Sequence, residues 1–457
     1  MGETLPLFEP SFNRSVKVET RPEQLTSDAG SLLVREALDR TGIIEWLLDN
    51  VNDPRNPKLV VHTLDELLRS ALILNAHGWG DLSDIDALRT DPVIALSRTR
   101  YRGVASADKE LASQPTLSRL LGILAWDGNR QALDAAAMVL AGRRVRAANG
   151  GRRLPTAVID VDGLPLPAHG QQAGTAYNGY AGARIHYPLI ASCAETGDML
   201  AGLLRRGNAG PAAMAKDWIP QIVEQAQRCF CKKAVVRVDA GFTDGETLEA
   251  LDRRGIGYLG RLGENKALVD LFDPHRRRGP GRPAERPREW VVEQTYRAGS
   301  WQRERRVLIV VQEHPRELFR RCFFLVTNLP YPPTKILALY RRRGKAEGHM
   351  GELKDCFGAS LPTTSRGKAA DHEVFQRAQT WLSLRLLSYQ LLHVLRTLLE
   401  RGTGEGWSLR RVRERLLKSA ARLQRSGRRL TVVLARSAAH WWQKLVPSLQ
   451  QFRYALE

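Results

Sequence analysis

The sequence predicts an α/β protein. A mixed sheet with flanking helices and an inserted β-rich subdomain should lie between helical N- and C-terminal regions. Three observations predict it. Residues 1–150 and 331–457 carry apolar side chains mostly at helical spacing. Residues 151–264 change to runs of strand character that then alternate with helices. Residues 265–330 interrupt that alternation with three further strand-like runs.

In the N-terminal region, LVREALDRTGIIEWLLDNV and TLDELLRSALILNAHGW repeat apolar residues at i, i+3 and i+4. LASQPTLSRLLGILAW reads as a helix whose start is marked by Pro115 and Thr116. The basic, Gly-rich stretch GRRVRAANGGRR marks a boundary near Gly150. Beyond it, LPTAVIDVDG, RIHYPLIASC and DMLAGLLRRG read as three strands, with a turn at Thr196 and Gly197. PAAMAKDWIPQIVEQAQR is a helix and KKAVVRVDA a fourth strand. Thr243 and Glu246 form a capping-box signature for the helix DGETLEALDRR, which Gly255 ends. IGYLGRL is a fifth strand.

The basic loop HRRRGPGRPAERPRE then leads into REWVVEQTYRAG, RERRVLIVVQ and RCFFLVTNLP, the β-rich insertion at 265–330. One long helix should start near Pro333 and run past Lys354 within the segment 331–400, and helices should continue through 401–457.

With 457 residues, of which 43% are hydrophobic, the chain has material for several cores. Lys plus Arg is 69 against 49 Asp plus Glu, a net charge of +20 and a pI near 10.2. That imbalance points to an anionic polymer or surface as partner. Residues 401–457 hold 13 Lys/Arg against 3 Asp/Glu, interleaved with Trp407, Trp441 and Trp442. Five dispersed cysteines exclude a disulfide framework, and the C-F-C of Cys229 and Cys231 lacks zinc-knuckle spacing. Together with a start, MGETLPLFEP, that lacks a secretory pattern, they predict a cytoplasmic protein. The most apolar helix, WLSLRLLSYQLLHVLRTLL, carries Arg385, His393 and Arg396, which argues against a membrane span.

In so basic a chain the informative residues are isolated carboxylates. Asp160 and Asp162 sit two apart in the first strand, hence on one face. Asp239 ends the fourth strand just before a Gly. The C-terminal ends of strands in an α/β sheet are where ligands bind. On one continuous helix, Tyr340, Arg343, Glu347 and Lys354 would share a stripe about 60° wide. Such a stripe suits a carboxylate facing metal and cations facing phosphate.

The spacing Y-x2-R-x3-E-x6-K resembles the signature of bacterial insertion-sequence transposases with a DDE catalytic triad. GWGDLSDIDALRTDP, SQPTLSRL, VIDVDGLPLPAHGQQAGTAYNGY, LRRGN, VVRVDAGF and FLVTNLP resemble the branch called DDE transposase group 1. The resemblance implies an RNase H-like catalytic core, with a β-rich insertion between the second and third acids. It implies Asp162, Asp239 and Glu347 as catalytic metal ligands for two Mg²⁺ or Mn²⁺ ions. Members often carry Thr or Ser shortly after the first Asp, where this chain has Gly163, Leu164 and Pro165. Asp162, nearer the strand end, is taken as the first ligand, with Asp160 as the alternative.

Arg343 and Lys354 would contact DNA phosphates, and Tyr340 a terminal or flipped nucleotide. His169, Asn178 and Tyr180 follow Asp162 closely enough to line the same cleft and are further DNA-contact candidates. The N-terminal region, with SQPTLSRLLGILAW as a possible helix-turn-helix component, is the candidate base reader. The implied function is a DNA transposase that binds terminal inverted repeats, cleaves the ends and joins 3′-hydroxyls to target DNA. It would act as a homodimer in the bacterial nucleoid. The alternatives are an RNase H-like nuclease without strand transfer and a catalytically silent DNA-binding protein.

Overall fold

The computed structural model describes residues 7–454 except 14, 20–23, 102–103, 169, 171, 280, 282–284, 359–360, 362–369 and 428. His169 therefore lies outside the described residues. Eight strands form one mixed sheet: β1 Leu154–Gly163, β2 Leu189–Cys193, β3 Met199–Leu203, β4 Cys231–Val238, β5 Gly257–Leu262, β6 Arg288–Tyr296, β7 Arg305–Glu313 and β8 Arg321–Thr327. Their spatial order is β6-β7-β8-β5-β4-β1-β2-β3. β1, β4 and β5 run parallel, and every other pairing is antiparallel. Runs such as AVIDV, AVVRV and VLIVV explain the strands: β-branched side chains fit the pleat, and continuous apolar runs suit strands covered on both faces.

The three strands of the expected β-rich insertion form no sheet of their own. β6, β7 and β8 extend the main sheet past β5, because β8 pairs antiparallel with β5 over Phe324–Thr327. Val307, Ile309 and Val311 pack on one face of the sheet, while Leu308 and Val310 pack on the other. The same segment contains a helix, Lys266–Arg276, that the sequence reading missed. RIHYPLIASC is also two strands rather than one. It breaks at Tyr187 and Pro188, and Ala183–His186 pairs instead within a small sheet with Leu166–Pro167 and Ala176–Asn178.

Flanking helices are α1 Asp127–Ala148, α2 Ala215–Cys229, α3 Gly245–Arg253, α4 Pro333–Arg341, α5 Gly344–Phe357 and α6 Asp371–Thr403. α3 begins not with the expected Thr243 cap but with Asp244, whose side chain accepts from the Thr247 amide. The Thr243 hydroxyl donates instead to the Ala240 and Arg261 carbonyls. The helix expected from Pro333 past Lys354 is interrupted between Arg341 and Gly344. Gly344 is a poor helix former, and the Arg343 amide closes an i→i−3 bond to Tyr340 at 2.9 Å. LVREALDRTGIIEWLLDNV likewise splits at Gly42, held at φ 63°.

α6 runs through the helical core and is buried on nearly all sides from Ala378 to Leu395. It also covers the open edge of the sheet. The Gln379 side chain accepts from the Leu204 amide at 2.6 Å and donates to the Gly202 carbonyl at 2.9 Å, next to β3. Edge strands otherwise template further pairing. α1 serves two cores: Leu133, Ala136 and Leu140 face the helices, and Met138, Ala141 and Val145 face the sheet. The helix Gln114–Leu124 from SQPTLSRLLGILAW puts Leu117, Leu120, Leu121 and Leu124 into the helical core. Burying one such Leu contributes about 1.5–3 kcal/mol.

The C-terminal region is not wholly helical. Ala421–Ser426 and Arg429–Leu434 form a hairpin, and Leu25–Thr26 adds a third strand to it. Chain ends meet again at buried Asp28, which receives His77 Nδ1 and Lys418 Nζ, each at 2.9 Å. Among the described residues, no helix is long and apolar enough to cross a membrane.

Candidate active site

β1 and β4 are parallel neighbours, so residues at matching depth emerge side by side. Val161 pairs with Val238, and Asp162 and Asp239 each follow one residue later. Asp239 Oδ1 accepts from the Gly241 amide at 2.9 Å, which fixes its rotamer. A Cβ at Gly241 would lie 2.8 Å from Pro211 Cβ, so glycine is required by close approach.

Glu347 lies in the first turn of α5, where the helix dipole favours a negative charge. Arg343, just before α5, connects the acids. One terminal nitrogen donates to Asp162 Oδ2 and the other to Glu347 Oε1, both at 2.7 Å. The Asp162 carboxyl is pushed up to about 6 by burial, opposed by Arg343 and reinforced by the negative charges of Asp239 and Glu347. Asp162 thus senses both other acids, although they lie 77 and 185 residues further along the chain.

Asp160, the alternative first ligand, is committed elsewhere. Both of its oxygens are held by Arg237, at 2.6 and 2.7 Å, and both residues are almost fully buried. Arg237 also donates to the Leu339 carbonyl at 2.5 Å, tying β1 and β4 to the end of α4. Sequence reasoning gave Arg237 no role. The signal was the shared offset: Asp160 and Arg237 each precede a site acid by two residues in adjacent parallel strands.

Arg205 was also missed. It donates to the Tyr187, Gly210, Pro211 and Ala213 carbonyls at 2.8–3.0 Å, so it pins the loop that abuts Gly241. Burial pulls its guanidinium down to about 10. Its charge lies 4.9 Å from the Tyr187 ring centre. Tyr187 explains why position 163 is a glycine. A Cβ at Gly163 would fall 2.6 Å from the Tyr187 ring carbon and hydroxyl. Gly163→Ser should therefore displace Tyr187 and lower stability by about 1–3 kcal/mol. Urea unfolding of Gly163→Ser beside a Gly163→Ser, Tyr187→Ala double variant checks this. The prediction fails if removing the ring recovers none of the loss.

The other expected site residues divide. Lys354 is half-buried, and burial lowers its pKa against the opposing charges of Asp355 and Asp162. Tyr340 is half-buried with its ring centre 6.2 Å from that of Phe323, a packing contact on the sheet. Asn178 spends its amide on backbone: it donates to the Gly207 carbonyl at 3.0 Å and accepts from the Ala181 amide at 3.1 Å. Tyr180 is 96% exposed. His349, opposite Glu347 on α5, lies 3.4 Å from the Tyr389 hydroxyl.

Asp162, Asp239 and Glu347 would together offer only oxygen donors, the type that suits a hard divalent cation. A cation beside Asp162 would offset the burial that chiefly raises its carboxyl, and the smaller effect of the like charges of Asp239 and Glu347. Among the described residues no three His, Cys, Asp or Glu side chains come close enough to hold a metal, and Arg343 bridges Asp162 and Glu347 instead.

A search of curated proteins finds no match. Among solved structures, the chain is similar to a piggyBac transposase, determined as a synaptic complex with hairpin DNA. The identity is 10%, the TM-score 0.44, and the alignment covers 93% of this chain and 82% of that one. The family described as Transposase DDE domain group 1 matches residues 8–453, nearly the whole sequence, and the chain therefore belongs to this family of DNA transposases.

Proposed function

We propose that the protein mobilises an insertion-sequence element. It binds the terminal inverted repeats, cleaves each end to free a 3′-hydroxyl, and joins those hydroxyls to target DNA by transesterification. The observation that carries this reading is the link from Asp162 through Arg343 to Glu347, beside Asp239, at the ends of two parallel strands. The strand order β3-β2-β1-β4-β5, with β2 alone antiparallel to β1 and β3, supports an RNase H-like core.

Asp162, Asp239 and Glu347 would hold the divalent metal. Two such ions supply an activated oxygen nucleophile and stabilise the departing oxygen. Arg343 neutralises the acids in the absence of DNA, and its planar fork matches a phosphodiester once it releases them. Lys354 adds a point charge on the same side. Two protomers would pair the two ends.

The test is incubation of the protein and Mg²⁺ with a labelled inverted-repeat end and a supercoiled plasmid. The expected result is covalent joining of the 3′ end to the plasmid; cleavage without joining would leave a nuclease. The rate should also depend on pH. Asp162 must be ionised to hold metal, and its carboxyl sits near 6. Cleavage at subsaturating Mg²⁺ should then fall about tenfold per pH unit below 6. A flat profile between pH 5 and 7 would contradict the assignment.

A further inference from the structure

At the far end of the same strands lies a second basic site. A cavity of about 480 Å³ opens among α1, the end of α2, the helix Ile43–Asn50 and the C-terminal segment. Arg143, Arg146, Arg228 and Arg453 line it, with the half-buried ring of Trp46. Four different elements supply these side chains, which distinguishes the cluster from a charged face of a single helix.

Two of the arginines are fixed by backbone carbonyls. Arg143 donates to Thr41 O at 2.8 Å and Arg146 to Cys229 O at 2.9 Å. Arg228 and Arg453 are exposed and have no ion-pair or hydrogen-bond partner among the described residues. The carboxylate whose charge reaches Arg143 is Glu45. That group already faces Arg69 and Arg100, at 3.5 and 3.6 Å. Arg228 and Arg453 therefore bring uncompensated positive charge to the cavity, whose volume is that of a small-molecule site.

β1 begins three residues after Gly151, which lines the cavity, and ends at the site acids. Eight residues of strand separate Leu154 from Asp162, about 26 Å. That is about eight base pairs of DNA.

We propose that this arginine-lined cavity binds phosphate groups of DNA at a position separate from the cleavage site, with Arg228 and Arg453 as the phosphate-contacting pair. Arg143 and Arg146 hold the cavity's shape, and Trp46 offers a face to the adjoining sugar or base. The inference needs only that the protein binds DNA, so it stands or falls apart from the carboxylate chemistry.

The test uses the full chain without metal and a 30-base-pair duplex, with affinity measured from 50 to 300 mM salt. Each neutralised phosphate contributes about 0.9 to the log–log slope. The Arg228→Ala, Arg453→Ala double variant should lose about 1.8 of that slope. A control variant, Lys266→Ala with Arg316→Ala, removes the same charge from exposed positions on the insertion side and should lose less than half as much. Deoxyadenosine monophosphate is titrated calorimetrically in parallel. A slope loss without mononucleotide heat assigns the site to the DNA backbone. A slope loss with heat that vanishes in the double variant assigns it to phosphate esters generally. An unchanged slope, or an equal loss in the control, overturns the proposal.

Discussion

Asp162→Asn is expected to abolish end cleavage while leaving the protein more stable than its parent. The first half follows from the donor set. An amide is a far poorer ligand for a hard cation than a carboxylate, and even an outer-shell substitution at a metal site costs about 10–100-fold. Loss of a direct ligand should exceed that range, and the same holds for Asp239→Asn and Glu347→Gln. DNA binding, carried by cationic side chains, should change little in all three.

The second half follows from linkage. The unfolded carboxyl titrates near 3.8 and the folded one near 6, so between those values the folded state binds the extra proton. Stability therefore falls as pH rises through that window, and the ionised group is a cost at neutral pH. The full shift corresponds to about 3 kcal/mol. That is an upper bound on the gain, because the amide loses its charged bond to Arg343. Gel-based cleavage and calorimetric unfolding at pH 7.5 measure the two halves. If Asp162→Asn cleaves normally, the first ligand has been misassigned. If it is inactive but markedly less stable, the loss reflects folding and says nothing of the metal.

Arg237→Ala should be the most destabilising single change near the site. It strands Asp160, which is 2% exposed, as a buried carboxylate without its ion-pair partner. Breaking a buried ion pair on one side costs about 3–5 kcal/mol. It also frees the Leu339 carbonyl, so α4 loses its anchor to β4 three residues before the break that carries Arg343. Replacing both partners with apolar residues of similar volume, Asp160→Leu with Arg237→Met, should recover most of the stability. The first calorimetric transition of the single and double variants gives the comparison. Equal losses in both would mean that the pair acts through something other than uncompensated charge.

Much of the fold was legible because it rests on local periodicity. β1 matched LPTAVIDVDG end to end, and the strand at AVVRVDAGF delivered Asp239 where the apolar run stops. The C-terminal hairpin was legible but overlooked. Gly427, at φ 56°, follows directly on Ser426, which pairs with Arg429, so the glycine sits where a tight β-turn joins two alternating runs. Tyr340, Arg343, Glu347 and Lys354 share one stripe only on a single unbroken helix. The break between Arg341 and Gly344 uncouples Tyr340 from that stripe, while Glu347 and Lys354 keep their phase on α5 and Arg343 caps its start.

The sequence alone therefore determined the strand-borne acids, the basic character and the family signature, because alternation, composition and spacing are properties of neighbouring residues. Only the tertiary structure decided that Asp160 belongs to Arg237, that the insertion extends the main sheet, and that Arg343 spans Asp162 and Glu347. Asp160–Arg237, Asp162–Arg343 and the pairing of β8 with β5 all join segments separated by 60 or more residues, and only Arg343–Glu347 is local. Such contacts are chosen by burial and charge compensation in the folded chain, which local pattern does not encode.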